Sequence, residues 1–101
     1  MAVPPEYLEY VARHPGGFDE WFFGRYLEGL RGEFVSRMGI EDGDVEIVVR
    51  LRNGREVVTE HARTAATWAA FVGKEEWVIA PYREVDEVLL RRREADTPAG
   101  F

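Results

Sequence analysis

The sequence predicts an α+β fold: N-terminal helices at residues 5–14 and 18–38 packed on a small, strongly bent antiparallel sheet, or an open five-stranded barrel. Three observations carry that expectation. Asn53-Gly54 pivots a hairpin between two β-prone runs; aromatic and aliphatic residues recur at steps of three and four between Phe18 and Met38; and short apolar runs separated by tight breakers fill residues 67–92.

The first element opens on Pro4-Pro5, and proline is tolerated in a helix's first turn because its missing N–H is an orphan there anyway. Tyr7, Leu8 and Val11 follow at helical spacing, and Pro15-Gly16-Gly17 ends the segment. The second helix carries Phe18, Trp21, Phe22, Phe23, Tyr26, Leu27, Leu30, Phe34, Val35 and Met38, a wide apolar stripe. Gly24, Gly29 and Gly32 each cost about 1 kcal/mol relative to alanine in a helix interior, so a break or bend is expected near Gly29 to Gly32. Gly39 suits the left-handed residue that closes a helix.

In the hairpin, Val45, Ile47, Val49 and Leu51 alternate with Glu46, Val48, Arg50 and Arg52, and Arg55 to Thr59 return. Two registers are open. A two-residue turn sets Glu46 opposite His61, whereas a three-residue turn with a bulge at Gly54 turns Val57 and Thr59 onto the apolar face; the second puts fewer charges against the core and is preferred. From His61 on, Ala62, Ala65, Ala66, Ala69 and Ala70 suit a helix while Trp68, Ala70 and Val72 alternate like a strand; the preferred reading is a loop through Ala66 and a strand from Thr67 to Val72, with Gly73-Lys74-Glu75 reversing the chain into Glu76 to Ala80. Beyond Pro81 two readings compete: a helix over Tyr82 to Arg93, or a 3₁₀ turn at Tyr82 to Val85 and a last strand from Glu87 to Arg92, which is preferred.

At 101 residues, 46% of them apolar, the chain is expected to be one domain with a helical part at 1–39, a β part at 43–92 and a flexible tail at 93–101. Thirteen basic against nineteen acidic residues give a net charge of −6, which repels polyphosphate at long range. The absence of cysteine excludes disulfides, thiol catalysis and cysteine-based zinc sites. No secretory signal or membrane-length apolar run is found, so a cytoplasmic protein without membrane contact is expected.

The order of pieces, with the hairpin through Leu51-Arg52-Asn53-Gly54-Arg55-Glu56-Val57 and the run Trp77-Val78-Ile79-Ala80-Pro81-Tyr82-Arg83-Glu84-Val85-Asp86-Glu87-Val88, resembles the small Sm-like and SH3-like β-barrels. In those folds the fourth strand passes through a short 3₁₀ turn into the fifth. The resemblance covers residues 44–92 and is one of architecture. Sm-like relatives would imply RNA binding by a ring of subunits, and no binding residue is carried over from them.

No motif specifies a reaction, so no cofactor, metal or catalytic residue is assigned. The function expected is a non-catalytic protein–protein interaction or self-assembling module acting through an aromatic surface and a sheet edge, its partner a protein or a second copy. Trp21, Phe22, Phe23 and Tyr26 are the candidate contact residues, because three consecutive aromatics cannot all face inward from one helix; the competing reading makes the cluster core. The alternative is RNA or DNA binding through an arginine face of Arg50, Arg52, Arg55, Arg91, Arg92 and Arg93, against which such runs are often solvated and paired with carboxylates. More remote readings are an acidic decoy of a nucleic-acid-binding protein, and a small enzyme built on His61 with Glu60 and Glu46.

Overall fold

The computed structural model describes residues 9–12 and 17–93, for residues 9–12 as backbone only. The fold is α+β. Strand β1 (Glu9–Ala12) precedes a helical segment, comprising a π-type turn (Phe22–Tyr26) that runs into helix α1 (Leu27–Met38). Strands β2 (Val45–Leu51), β3 (Glu56–Thr59), β4 (His61–Thr64), β5 (Trp68–Val72), β6 (Trp77–Pro81) and β7 (Val85–Arg92) follow, with a 3₁₀ turn (Tyr82–Glu84) between the last two. They form two open antiparallel sheets, ordered β1-β7-β2-β3 and β4-β5-β6.

A helix was expected over 5–14, but residues 9–12 are extended and pair with β7, Glu9 opposite Arg91 and Ala12 opposite Val88. Helical spacing of three apolar residues is a weak signal, and Tyr10 and Val11 suit a strand once the edge of β7 supplies backbone partners. The rest of that expected helix, and the expected tail from residue 94, lie outside the described residues.

The second helix starts at Glu20, with the Asp19 carboxylate accepting the Phe22 N–H at 2.9 Å. Its irregularity does not fall at Gly29 to Gly32, which sit within α1 with open space around them. It falls a turn earlier, where the Leu27 N–H reaches back to the Phe22 carbonyl. Widening that turn lets the consecutive Phe22 and Phe23 both face the core ahead of Leu27, Leu30 and Phe34. Gly39 closes the helix in the left-handed conformation, φ 66°, as expected.

The hairpin adopts the three-residue register. Val49 faces Val57 and Ile47 faces Thr59, Gly54 takes φ 91°, and Val57 and Thr59 are buried. Residues 61–64, expected as loop, are strand β4. The chain bends at Glu60, whose N–H bonds the Val72 carbonyl, so β3 and β4 are two halves of one strand passing from the first sheet to the second. No local signal marks that strand; it forms on the ladder partners that β5 offers, Ala62 lying opposite Phe71. The expected strand at 67–72, the reversal at Gly73 and the 3₁₀ turn leading to the last strand are all present.

The core lies between the helical segment and the inner faces of both sheets. Phe23 stands edge-on to Phe71 at 5.2 Å between ring centres and stacks on Tyr82 at 5.8 Å, so one helix residue joins β5 to the corner before β7. Tyr82 donates its hydroxyl to the Ala65 carbonyl at 2.5 Å, tying that corner to the turn after β4.

Candidate interaction surface

Alternation along β5 and β6 sends Ala69, Phe71 and Ala80 inward and leaves Trp68, Ala70, Val72, Trp77 and Ile79 on the outer face of the second sheet. Trp77 lies opposite Val72, and Ile79 opposite Ala70. Ala70 and Val72 are covered, but Trp68, Trp77 and Ile79 are 43%, 59% and 66% exposed. Three large apolar side chains are thus left exposed on one face of a small domain.

Among the described residues β6 is also the edge of its sheet. The Gly73 N–H bonds the Glu76 carbonyl and the Tyr82 N–H bonds the Thr67 carbonyl. These rungs set the even-numbered residues of β6 toward β5, so by alternation the N–H and C=O groups of Trp77 and Ile79 point away from it. Those groups have no backbone partner among the described residues. No charged residue lies within Trp77–Pro81 to discourage pairing.

The expected contact cluster divides between two environments. Phe22 and Phe23 are buried in the core, while Trp21 and Tyr26 stack on each other at 5.1 Å and are each about half exposed. Reading the aromatics together missed that the π-type turn separates them. The patch on β5 and β6 was not singled out from sequence, although the alternation of Trp77 and Ile79 with Val78 and Ala80 carries the signal.

The candidate arginines do not form one face. Arg50 bonds Glu56 at 2.7 Å and Glu87 at 2.5 Å, Arg91 bonds Glu46 at 2.6 Å, and Arg55 bonds Glu76 at 2.8 Å. Hydrogen bonds to Glu56 and then Glu87 hold the Arg50 guanidinium above its ordinary pKa. The rungs Glu46–Arg91 and Arg50–Glu87 flank Val48 and Leu89, which are buried on the side of the first sheet away from the core. Arg52 donates to the Arg83 carbonyl, Arg92 lies opposite Val45 on the other side of the sheet, and the Arg93 N–H bonds the Asp44 carbonyl.

The register also separates His61 from Glu46, which is engaged by Arg91. Glu46 and Glu60 line a cleft of about 540 Å³ together with Glu56, Glu75, Glu76 and Lys74. His61 is not in its lining; it sits exposed on β4, opposite Val72. No described helix is long and apolar enough to cross a membrane. Comparison with protein-family models, curated proteins and solved structures finds no match for the chain.

Proposed function

We propose that this chain is a non-catalytic protein-interaction module that docks its partner on the outer face and open edge of β6. The observation that supports this reading is that Trp77 and Ile79 on β6, with Trp68 beside them on β5, expose their side chains where the outward backbone groups of β6 have no backbone partner among the described residues. Side-chain anchors and strand addition then act together, the first supplying buried apolar area and the second fixing register. The exposed Trp21–Tyr26 stack offers a smaller, separate contact on the helical segment. Against nucleic acid as the partner stand the net charge of −6 and the carboxylates already engaging Arg50, Arg55 and Arg91.

We also read β2 to β7 as a small barrel of Sm-like or SH3-like type opened at the corner. Supporting this are the strand order, the bend at Glu60 and the 3₁₀ turn between β6 and β7. Function does not follow from that architecture; it rests on the surface.

A photo-crosslinking residue at position 77 tests the docking face in cells expressing the full chain, with the same residue at exposed Ser36 on α1 as control. A discrete adduct from position 77 and none from position 36 is expected. Equal labelling from both positions, or none from either, would overturn the reading.

A further inference from the structure

We infer that the partner is a second copy of this chain, joined by antiparallel pairing of β6 with β6 about a two-fold axis at Val78. The inference rests on the docking face proposed above and names its occupant.

Register selects the axis. The outward groups of β6 are the N–H and C=O of Trp77 and Ile79, and Pro81, next in the outward set, has no N–H to give. An axis at Ile79 would place Trp77 opposite Pro81 of the copy and leave the Trp77 carbonyl without a donor. With the axis at Val78, Trp77 stands opposite Ile79 of the copy. Each Trp77 N–H then donates to an Ile79 carbonyl, and each Ile79 N–H to a Trp77 carbonyl. Every outward group of the two residues is satisfied. Opposite residues share a face, so each indole packs on a β-branched side chain across the new ladder and the outer apolar face becomes continuous. Pro81 falls opposite Glu75, where only its carbonyl is needed.

Charge agrees with that direction. Glu75 precedes β6 and Arg83 follows it, both exposed. Antiparallel pairing carries Glu75 to the end where the copy's strand turns off at Arg83, whereas parallel pairing would set like charges side by side. Pairing β6 with the outer edge of β7 in a neighbouring copy, which would extend into a ring, is barred over Val88–Arg91 because β1 already occupies that edge. An isologous pair closes on itself and needs no second edge. The pair would bury roughly 1,000 Å² in total, the lower limit for specific interfaces, so its association is concentration-dependent.

Sedimentation equilibrium of the purified chain over a wide concentration range, at low and high salt, tests the inference. A monomer–dimer equilibrium that survives salt is expected, with Ile79→Lys raising the dimer dissociation constant by at least about tenfold while the far-ultraviolet spectrum stays that of the parent. Mixing Trp77→Cys and Ile79→Cys chains under oxidation fixes the register: the 77–79 disulfide should form in preference to 77–77 or 79–79. A strict monomer at all concentrations would overturn the second-copy assignment, and an adduct from position 77 with a different protein would then leave the docking face standing. A dimer indifferent to Ile79→Lys, or a dominant 77–77 or 79–79 disulfide, would overturn the proposed pairing.

Discussion

Ile79 stands directly across the β5–β6 ladder from Ala70, a long exposed side chain beside a short buried one. Trp68 and Trp77 rise on the same face, so the small residue forms the floor of an apolar shelf. Because Ile79 contributes little to the core, Ile79→Lys should leave stability within about 0.5 kcal/mol of the parent in urea denaturation, while abolishing adducts from a crosslinker at position 77. A large fall in stability would show that Ile79 serves the fold instead.

Phe23 joins the helical segment to β5 and Tyr82. Phe23→Ala should cost about 3–5 kcal/mol, a large share of the roughly 5–15 kcal/mol expected for such a domain. Trp21→Ala removes only an exposed stack and should cost about 1 kcal/mol. Urea midpoints of the two variants give the comparison.

Gly73 has no room for a side chain: a Cβ there would lie 2.9 Å from the Val58 carbonyl oxygen and 3.1 Å from that of Glu76. Both neighbours are backbone, so Gly73→Ala should destabilise by about 1–3 kcal/mol. Gly29, helical with open space around it, should behave oppositely, Gly29→Ala stabilising by about 0.5–1 kcal/mol. Thermal melts of both variants check the sign.

Burial raises the Tyr82 phenol above its ordinary pKa, and the carboxylates of Glu20 and Asp19 add to the rise. A folded-state pKa above the unfolded value of about 10 means that the stabilisation is complete below that pH and is lost as pH rises through the folded value. Tyr82→Phe should therefore be less stable than the parent at neutral pH by about 0.5–1.5 kcal/mol, the worth of the hydrogen bond to Ala65. The gap should narrow above pH ~10, as followed by urea midpoints across that range.

Arg50 bridges exposed Glu56 to buried Glu87. Arg50→Ala withdraws the guanidinium from a carboxylate shielded from water and should lower the melting temperature clearly. Glu76→Ala breaks only the exposed pair with Arg55 and should leave it nearly unchanged.

Local chemistry made much of the β part legible. Asn53-Gly54 dictated the hairpin, the wish to keep Glu56 off the core selected its register, and Pro81 marked the corner. What escaped depended on partners distant in sequence. Residues 9–12 are extended because β7 offers an edge, and His61–Thr64 because β5 does, neither of which a window of neighbours contains. The π-type turn, which contains Gly24, seats Phe22 and Phe23 together in the core, while the glycines at 29 and 32 leave α1 regular. The aromatic cluster lies at residues 21–26, whereas an exposed apolar surface is built by Trp68, Trp77 and Ile79, which come to one face only after β5 and β6 pair.

Amide hydrogen exchange resolved at Trp77 and Ile79 is the most direct measurement. If β6 is a docking edge filled by a second copy, both amides should exchange fast in dilute solution and become protected as concentration rises, with the amides of central strand β2 protected throughout. Fast exchange of Trp77 and Ile79 at every concentration would contradict pairing at this edge.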